Sequence, residues 1–181
     1  NWHNAPVNSN GDIYGNLLIV GLAPGLKGAN RTGIPFTGDH SGDLLFDTLA
    51  KFDFIINKNH SNTSMMILNN CRITNAVRCL PPANKPIQSE IKNCSIFLKN
   101  EIDAMKNLQC ILALGKVAHD AIISVFGRTK SQYKFGHNNQ YNFSNIKLID
   151  SYHCSRYNLN TRRLTVDMFS KVFQEIAMNI G

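Results

Sequence analysis

Chemistry in this sequence is concentrated in a few short stretches. The densest runs from Gly21 to Gly42, where Gly21, Gly25, Gly28, Gly33, Gly38 and Gly42 alternate with Asn30, Arg31, Thr37 and Asp39. Glycines let a backbone approach a ligand closely and take positive φ, and connections this long are usually functional or disordered. Three apolar anchors, Ile34, Pro35 and Phe36, and little serine point to order. The stretch is no dinucleotide fingerprint, since Leu22 and Ala23 follow Gly21. Gly115-Lys116 is followed by Val117 where a phosphate-binding loop needs Ser or Thr. A nucleotide-binding enzyme would need one of those signatures.

A second stretch is His153-Cys154-Ser155-Arg156. Alone, a histidine after a strand is more often a capping or packing residue, and Ser155 lacks the G-x-S-x-G context of a nucleophile. Asp150, three residues earlier, does not define a triad. Arg156, Arg162 and Arg163, with Tyr157 and Asn158 among them, read either as a solvated helix start or as phosphate contacts beside a wedge entering nucleic acid. Cys79 and Cys94 flank Pro81-Pro82; two thiols do not make a zinc or iron–sulfur site.

These residues need a frame to hold them. Leu17 to Val20 reads as a buried strand, and Ser41 precedes a helical stretch carrying Leu44, Leu45, Thr48, Leu49 and Phe52. Strands are expected at Met65–Asn69, Arg72–Val77, Cys110–Leu114 and Ile146–Tyr152. Helices are expected from Ser89 to about Met105, over Val117–Val125, and from Leu164 to Ile180. Alternation of strands and helices predicts a three-layer α/β/α sandwich with a mostly parallel sheet. In such sheets ligands bind beyond the carboxyl ends of the strands. The glycine-rich loop, Asn75–Cys79, Gly115-Lys116 and the His153 stretch all leave those ends.

The 181 residues suit a single domain, 1–181, with an ordinary core. No apolar run approaches the roughly 20 residues that cross a bilayer, and no signal peptide is visible; a membrane partner is not expected. A net charge of +7 favours a polyanionic partner. Five cysteines at irregular spacings suit a reducing, cytoplasmic setting rather than a disulfide framework. Nothing suggests more than a monomer.

Together, Gly21-Leu-Ala-Pro-Gly25, Asn30-Arg-Thr-Gly33 and Pro35-Phe-Thr-Gly-Asp39-His-Ser-Gly-Asp43 resemble the first motif of the family 5 uracil-DNA glycosylases. Ile73-Thr-Asn-Ala-Val-Arg-Cys79-Leu-Pro-Pro82 and His153-Cys-Ser-Arg156 resemble its second and third blocks, and the similarity spans about residues 17–170. The resemblance implies a monofunctional enzyme that flips uracil out of DNA and hydrolyses its N-glycosidic bond. Gly21 and Ala23 would border the base, Phe36 would stack on it, and Asn75 would read its edge. His153 would donate to the uracil O2, and Arg156, Arg162 and Arg163 would hold DNA. Ala23 stands where related families place a water-orienting polar side chain, so Asn30 first and Asp39 second are candidates for that role. The family also carries a 4Fe–4S cluster on four cysteines. Two ligands match Cys79 and Cys94; the others lie in an N-terminal Cys-x-x-Cys outside this chain, in a segment of several dozen residues expected ahead of Asn1. Two alternatives stay open: a broader glycosylase for deaminated bases such as hypoxanthine and xanthine, and a non-catalytic nucleic-acid-binding module.

Overall fold

The computed structural model describes residues 2–56 and 66–180. One six-stranded sheet runs through it: β1 (Asn10–Gly11), β2 (Leu17–Gly21), β3 (Cys71–Asn75), β4 (Cys110–Leu114), β5 (Gln140–Phe143) and β6 (Ile146–Ser151). Their spatial order is β1-β3-β2-β4-β6-β5. The four inner strands are parallel, and β1 and β5 close the edges antiparallel. This is the expected sandwich, with α2 (His40–Lys51) and α6 (Val166–Asn179) on one face and α3 (Gln88–Ala104) and α4 (Lys116–Val125) on the other. No helix among the described residues is long and apolar enough to cross a membrane.

The strands read as continuous apolar runs because both faces are covered. In β2, Leu17 and Ile19 join Leu45, Leu49, Phe169 and Phe173, while Leu18 and Val20 join Leu98, Ala118 and Ile122. Every residue of β2 and β4 is buried, and each large aliphatic side chain so placed contributes roughly 1.5–3 kcal/mol over an exposed one. Helix starts are capped from the sequence. Asp39 accepts from Ser41 N at 3.0 Å, Thr165 from Met168 N at 3.1 Å, and Glu90 reaches back to Ile87 N at 2.8 Å.

Several boundaries differ from the expectations. The helix expected after Ser41 starts two residues earlier, because Asp39 and not Ser41 is its cap. Among the described part of 65–69 there is only an isolated bridge, Ile55 with Leu68, and Met65 lies outside the described residues. β3 ends at Asn75, although Ala76 N and Val77 N still donate to Gly21 O and Leu22 O at 2.9 and 3.0 Å. Two short helices complete the site's surroundings: α1 (Ala29–Thr32) inside the glycine-rich loop was not expected, and α5 (Arg156–Asn160) after His153 fits the helix start that was one of the two readings of that segment. Both are too short for an apolar period to register.

The face of β3 toward α3 carries charge instead of aliphatic side chains. Glu101 of α3 accepts from Arg72 Nε at 2.6 Å and Arg78 Nη2 at 2.7 Å, and the Ser9 hydroxyl also donates to it. Burial alone would raise the Glu101 pKa, but Ser9 and the two guanidiniums together outweigh it and hold the carboxyl below its ordinary value. The network joins the chain ahead of β1, β3, the segment after Asn75, and α3. With a depressed folded-state pKa, its contribution is present above the ordinary carboxylate range and is lost as pH falls through the folded value. Glu101→Gln, which strands two guanidiniums, should lower unfolding free energy by about 3 kcal/mol at pH 7. In urea titrations that gap should narrow as pH falls below the ordinary carboxylate range; a gap constant with pH would show that the ion pairs are not its source.

Candidate active site

β2 lies beside β4, and from their carboxyl ends the chain departs to opposite sides, so a crevice opens there. A cavity of about 400 Å³ occupies it, lined by Leu22, Ala23, Gly25, Ala29, Phe36, Asp39, Ser41, Asn75, Asn84, His153 and Ser155. Three distant blocks of sequence therefore meet at one place.

Gly21 is the floor of the arrangement. A β-carbon built there would sit 2.5 Å from Phe36 Cζ and still closer to Asn75 Oδ1. Only bare backbone lets the ring and the amide lie where they do. Phe36 itself has φ +59°, a left-handed conformation that costs a non-glycine residue of order 1–3 kcal/mol. Its carbonyl oxygen is pressed against Gly42 in the first turn of α2, where a β-carbon would collide with it. The ring stacks near His153, with centroids 6.0 Å apart and planes 24° from parallel.

Asn75 is fixed by the register Gly21↔Asn75. Its Oδ1 is buried and has no hydrogen-bond partner among the described residues. An unpaired buried acceptor costs roughly 1–3 kcal/mol, a cost that a ligand donor reaching this oxygen would remove. His153 follows β6 and is partly buried. Gly115, at φ +93°, leaves His153 Cβ just 3.5 Å from where its own β-carbon would be. Burial pushes the His153 pKa down to about 4, so the ring is neutral at pH 7 and offers an N–H without a charge.

Asp39 also lines the cavity, its Oδ2 set against Gly25 and Gly28. Burial raises its pKa above the usual carboxylate value, against the opposing hydrogen bonds from Ser41 and Gly42. Asn30 lies elsewhere. It is buried in α1, its Nδ2 donates to Asn4 Oδ1 at 2.8 Å, and it does not line the cavity. Ser41 and Asn84 line it without having been singled out in the sequence. Asn84, at φ +55° just past Pro81-Pro82, offered only its turn composition as a signal.

The arginines stand outside the cavity. Arg156 donates to His40 Nε2 at 3.0 Å, joining α5 to the start of α2. Arg163 stacks on Tyr152 at 4.7 Å and lines a second hollow of about 280 Å³ with Lys116, Phe135 and His153. Arg162, at φ +55°, is exposed. Cys79 is exposed and Cys94 half-buried.

Fold and site define a three-layer α/β protein whose polar groups converge on a cavity at the sheet's carboxyl edge. Residues 9–177 match the family model of the uracil DNA glycosylase superfamily. Among curated relatives, the type-5 uracil-DNA glycosylase of Thermus thermophilus is 38% identical over 171 residues, covering 94% of this chain and 78% of the relative. That of Pyrobaculum aerophilum is 36% identical over 178 residues, covering 97% and 77%. That of Mycobacterium leprae is 36% identical over 175 residues, covering 94% and 76%. The chain belongs to the type-5 branch of this superfamily.

The contact at Gly21 is testable without any substrate. Gly21→Ala should destabilise the protein by about 1–3 kcal/mol through overpacking. Combining it with Phe36→Leu should recover part of that loss, as expected for directly touching residues. Strict additivity of the two changes in urea unfolding would deny the contact.

Proposed function

We propose that this protein removes uracil from DNA by hydrolysing the N-glycosidic bond, leaving an abasic site. The observation that carries the reading is the convergence of the Phe36 ring, the unpaired Asn75 amide and the neutral His153 on one cavity. A base stacked in a duplex cannot reach such a cavity and must be extruded into it, at a cost of a few kcal/mol for unstacking. There Phe36 stacks on the flipped ring. The amide of Asn75 accepts from N3–H and donates to O4, a pairing that uracil offers and cytosine reverses.

Cleavage of the C1′–N1 bond leaves the electron pair on the base and positive character on the sugar. His153 donates its N–H to O2 as that charge develops; an aimed donor in a water-poor site contributes roughly 3–4 kcal/mol. Water then adds to C1′, and its proton is released. Asp39 is the residue we assign to orient that water, because it lines the cavity while the Asn30 amide is engaged with Asn4. Arg156, Arg162 and Arg163 at the same edge suit phosphate contacts, with exposed Tyr157 beside them as the wedge. The five unpaired thiols suit a reducing cytoplasm.

A 4Fe–4S cluster plays no part in this scheme. It needs four thiolates, and the cysteines other than Cys79 and Cys94 are buried with thiol pKa values pushed up to about 12 by burial. Among the described residues no group of three or more His, Cys, Asp or Glu could hold a metal ion. Cys79, exposed, and Cys94, half-buried, are thus the two thiols of this chain that could serve such a group, half of the four it needs.

A second reading has one observation in its favour. Ala23 gives the cavity a methyl group where a polar side chain would constrain the base, which leaves room for other deaminated bases such as hypoxanthine.

A labelled duplex with a single U·G mismatch, treated with hot alkali after incubation, should reveal abasic product. A parallel hypoxanthine duplex measures the breadth of the site, and failure on both would overturn the glycosylase reading. His153→Ala should slow single-turnover excision at least roughly tenfold, about 1.4 kcal/mol, with abasic-DNA binding little changed. Asp39→Asn should slow it roughly tenfold, and Asn30→Ala by less than about threefold. The reverse order for these last two would move the water-orienting role to Asn30.

A further inference from the structure

The segment between α4 and β5 carries no role in the scheme above, yet it meets the chain immediately ahead of His153. β5 pairs with β6 from Phe143↔Ile146 to Gln140↔Ile149, and the ladder continues one step further. Asp150 N donates to Asn139 O at 2.9 Å, and Asn138 N donates to Asp150 O at 2.8 Å. There the partner chain turns away through a tight turn, with Asn139 N donating to Gly136 O at 2.9 Å and Asn138 at φ +64°. A backbone N–H left without an acceptor at the edge of a cavity is costly. The next donor along β6 is Tyr152 N, and what it meets is a side chain: His137 Nδ1 accepts from it at 3.2 Å.

We infer that His137 is a positioning residue for His153, its Nδ1 taking the Tyr152 N–H and its ring clamping the Tyr152 side chain so that the following residue is held at the cavity. This rests on the role given to His153 above. The His137 ring stacks on Tyr152 with centroids 5.0 Å apart and planes 28° from parallel. The Arg163 guanidinium packs on the same tyrosine at 4.7 Å, and Phe135 lies 6.1 Å from it. Tyr152 and His153 both face the hollow that Arg163 and Phe135 line. Acceptance at Nδ1 requires the neutral ring protonated on Nε2. Burial, outweighing a hydrogen bond to the Met168 backbone, lowers the His137 pKa and supports that state.

The ring therefore continues the β-ladder by one bond after the backbone has left it. A phenyl group would keep the stacking and lose the acceptor. An asparagine would place its amide oxygen where Nδ1 was and lose the ring.

Two substitutions separate those contributions. On the U·G duplex in single turnover, His137→Phe should excise at least roughly tenfold more slowly than wild type. Its affinity for abasic duplex should change by less than about twofold, and His137→Asn should stay within about threefold of wild type. A wild-type rate in His137→Phe, or an asparagine variant as slow as the phenylalanine one, overturns the inference. Amide exchange read at Tyr152 is independent of activity. It should be protected in wild type and accelerate roughly tenfold in His137→Phe, with Ile149 unchanged; equal exchange in both proteins overturns the inference even if no excision is seen. Wild type that fails to excise while Tyr152 responds as expected would instead indict the glycosylase reading. Should His137→Phe not fold, ring ¹⁵N shifts of wild-type His137 decide the matter. The Nε2–H tautomer supports the inference and the Nδ1–H tautomer ends it.

Discussion

The site depends on a missing side chain. At Gly21 the central strand ends in bare backbone, and the Phe36 ring and Asn75 amide occupy the space that a β-carbon would fill. From that contact the rest follows by necessity. Phe36 must turn back into the cavity, which its left-handed backbone accomplishes. Its carbonyl then presses on α2 at Gly42, so the helix must also lack a side chain there. Asn75 must sit level with Gly21, which the parallel register of β2 and β3 enforces. A steric constraint at one atom thus sets the conformation of a loop, the start of a helix and the level at which a neighbouring strand ends.

Rigid ends are needed on the other strands too, and the protein secures them with buried charge. Behind Asn75, Glu101 holds Arg72 and Arg78 on either side of it in sequence. Ahead of His153, Asp150 of β6 pairs with His119 of α4 at 2.8 Å, both fully buried. The second nitrogen of His119 donates to Tyr133 O at 2.8 Å. Oxygens at both nitrogens favour the charged form of the ring. Burial opposes that charge, but the hydrogen bond and charge of Asp150 outweigh it and raise the His119 pKa. Such pairs add little stability over well-packed apolar residues. What they add is a single permitted geometry for the segments that carry the reactive groups.

The layered architecture was legible because fully buried strands leave an unmistakable record: Leu17–Val20 and Cys110–Leu114 are continuous apolar runs with glycine at their ends. The edge strand β5 was not, since Gln140–Phe143 is half polar and is defined by its hairpin with β6 rather than by its own pattern. Within the site, Asp39 and His153 stood out as polar residues in the glycine-rich loop and just past a strand, whereas the roles of Phe36 and Asn75 came only from the family resemblance. That they gather at one edge of the sheet followed from the strand ends, but the contacts among them did not, because these depend on registers and on the turn at Phe36. Asn30 shows the limit most clearly. As a polar residue in the glycine-rich loop it was the natural first choice for orienting water, yet a four-residue helix, invisible as a period, turns its amide to Asn4.

The same burial that gathers these groups also decides what they can do. Removal from water disfavours charge on every titratable group in the cavity, and it does so in opposite chemical senses. It lowers the His153 pKa to about 4 and leaves a neutral donor, while it raises that of Asp39 above the usual carboxylate value. An imidazolium aimed at the leaving base would have to be desolvated along with it. A neutral N–H has no such cost. Held in a site of low polarity, it gains strength as negative charge appears before it. In the proposed scheme the positive charge that DNA demands is kept apart, on Arg156, Arg162 and Arg163 at the exposed rim, where water and counterions screen it. That scheme thus separates two electrostatic tasks by depth: long-range attraction of a polyanion at the surface, and stabilisation of one developing charge by an uncharged dipole within.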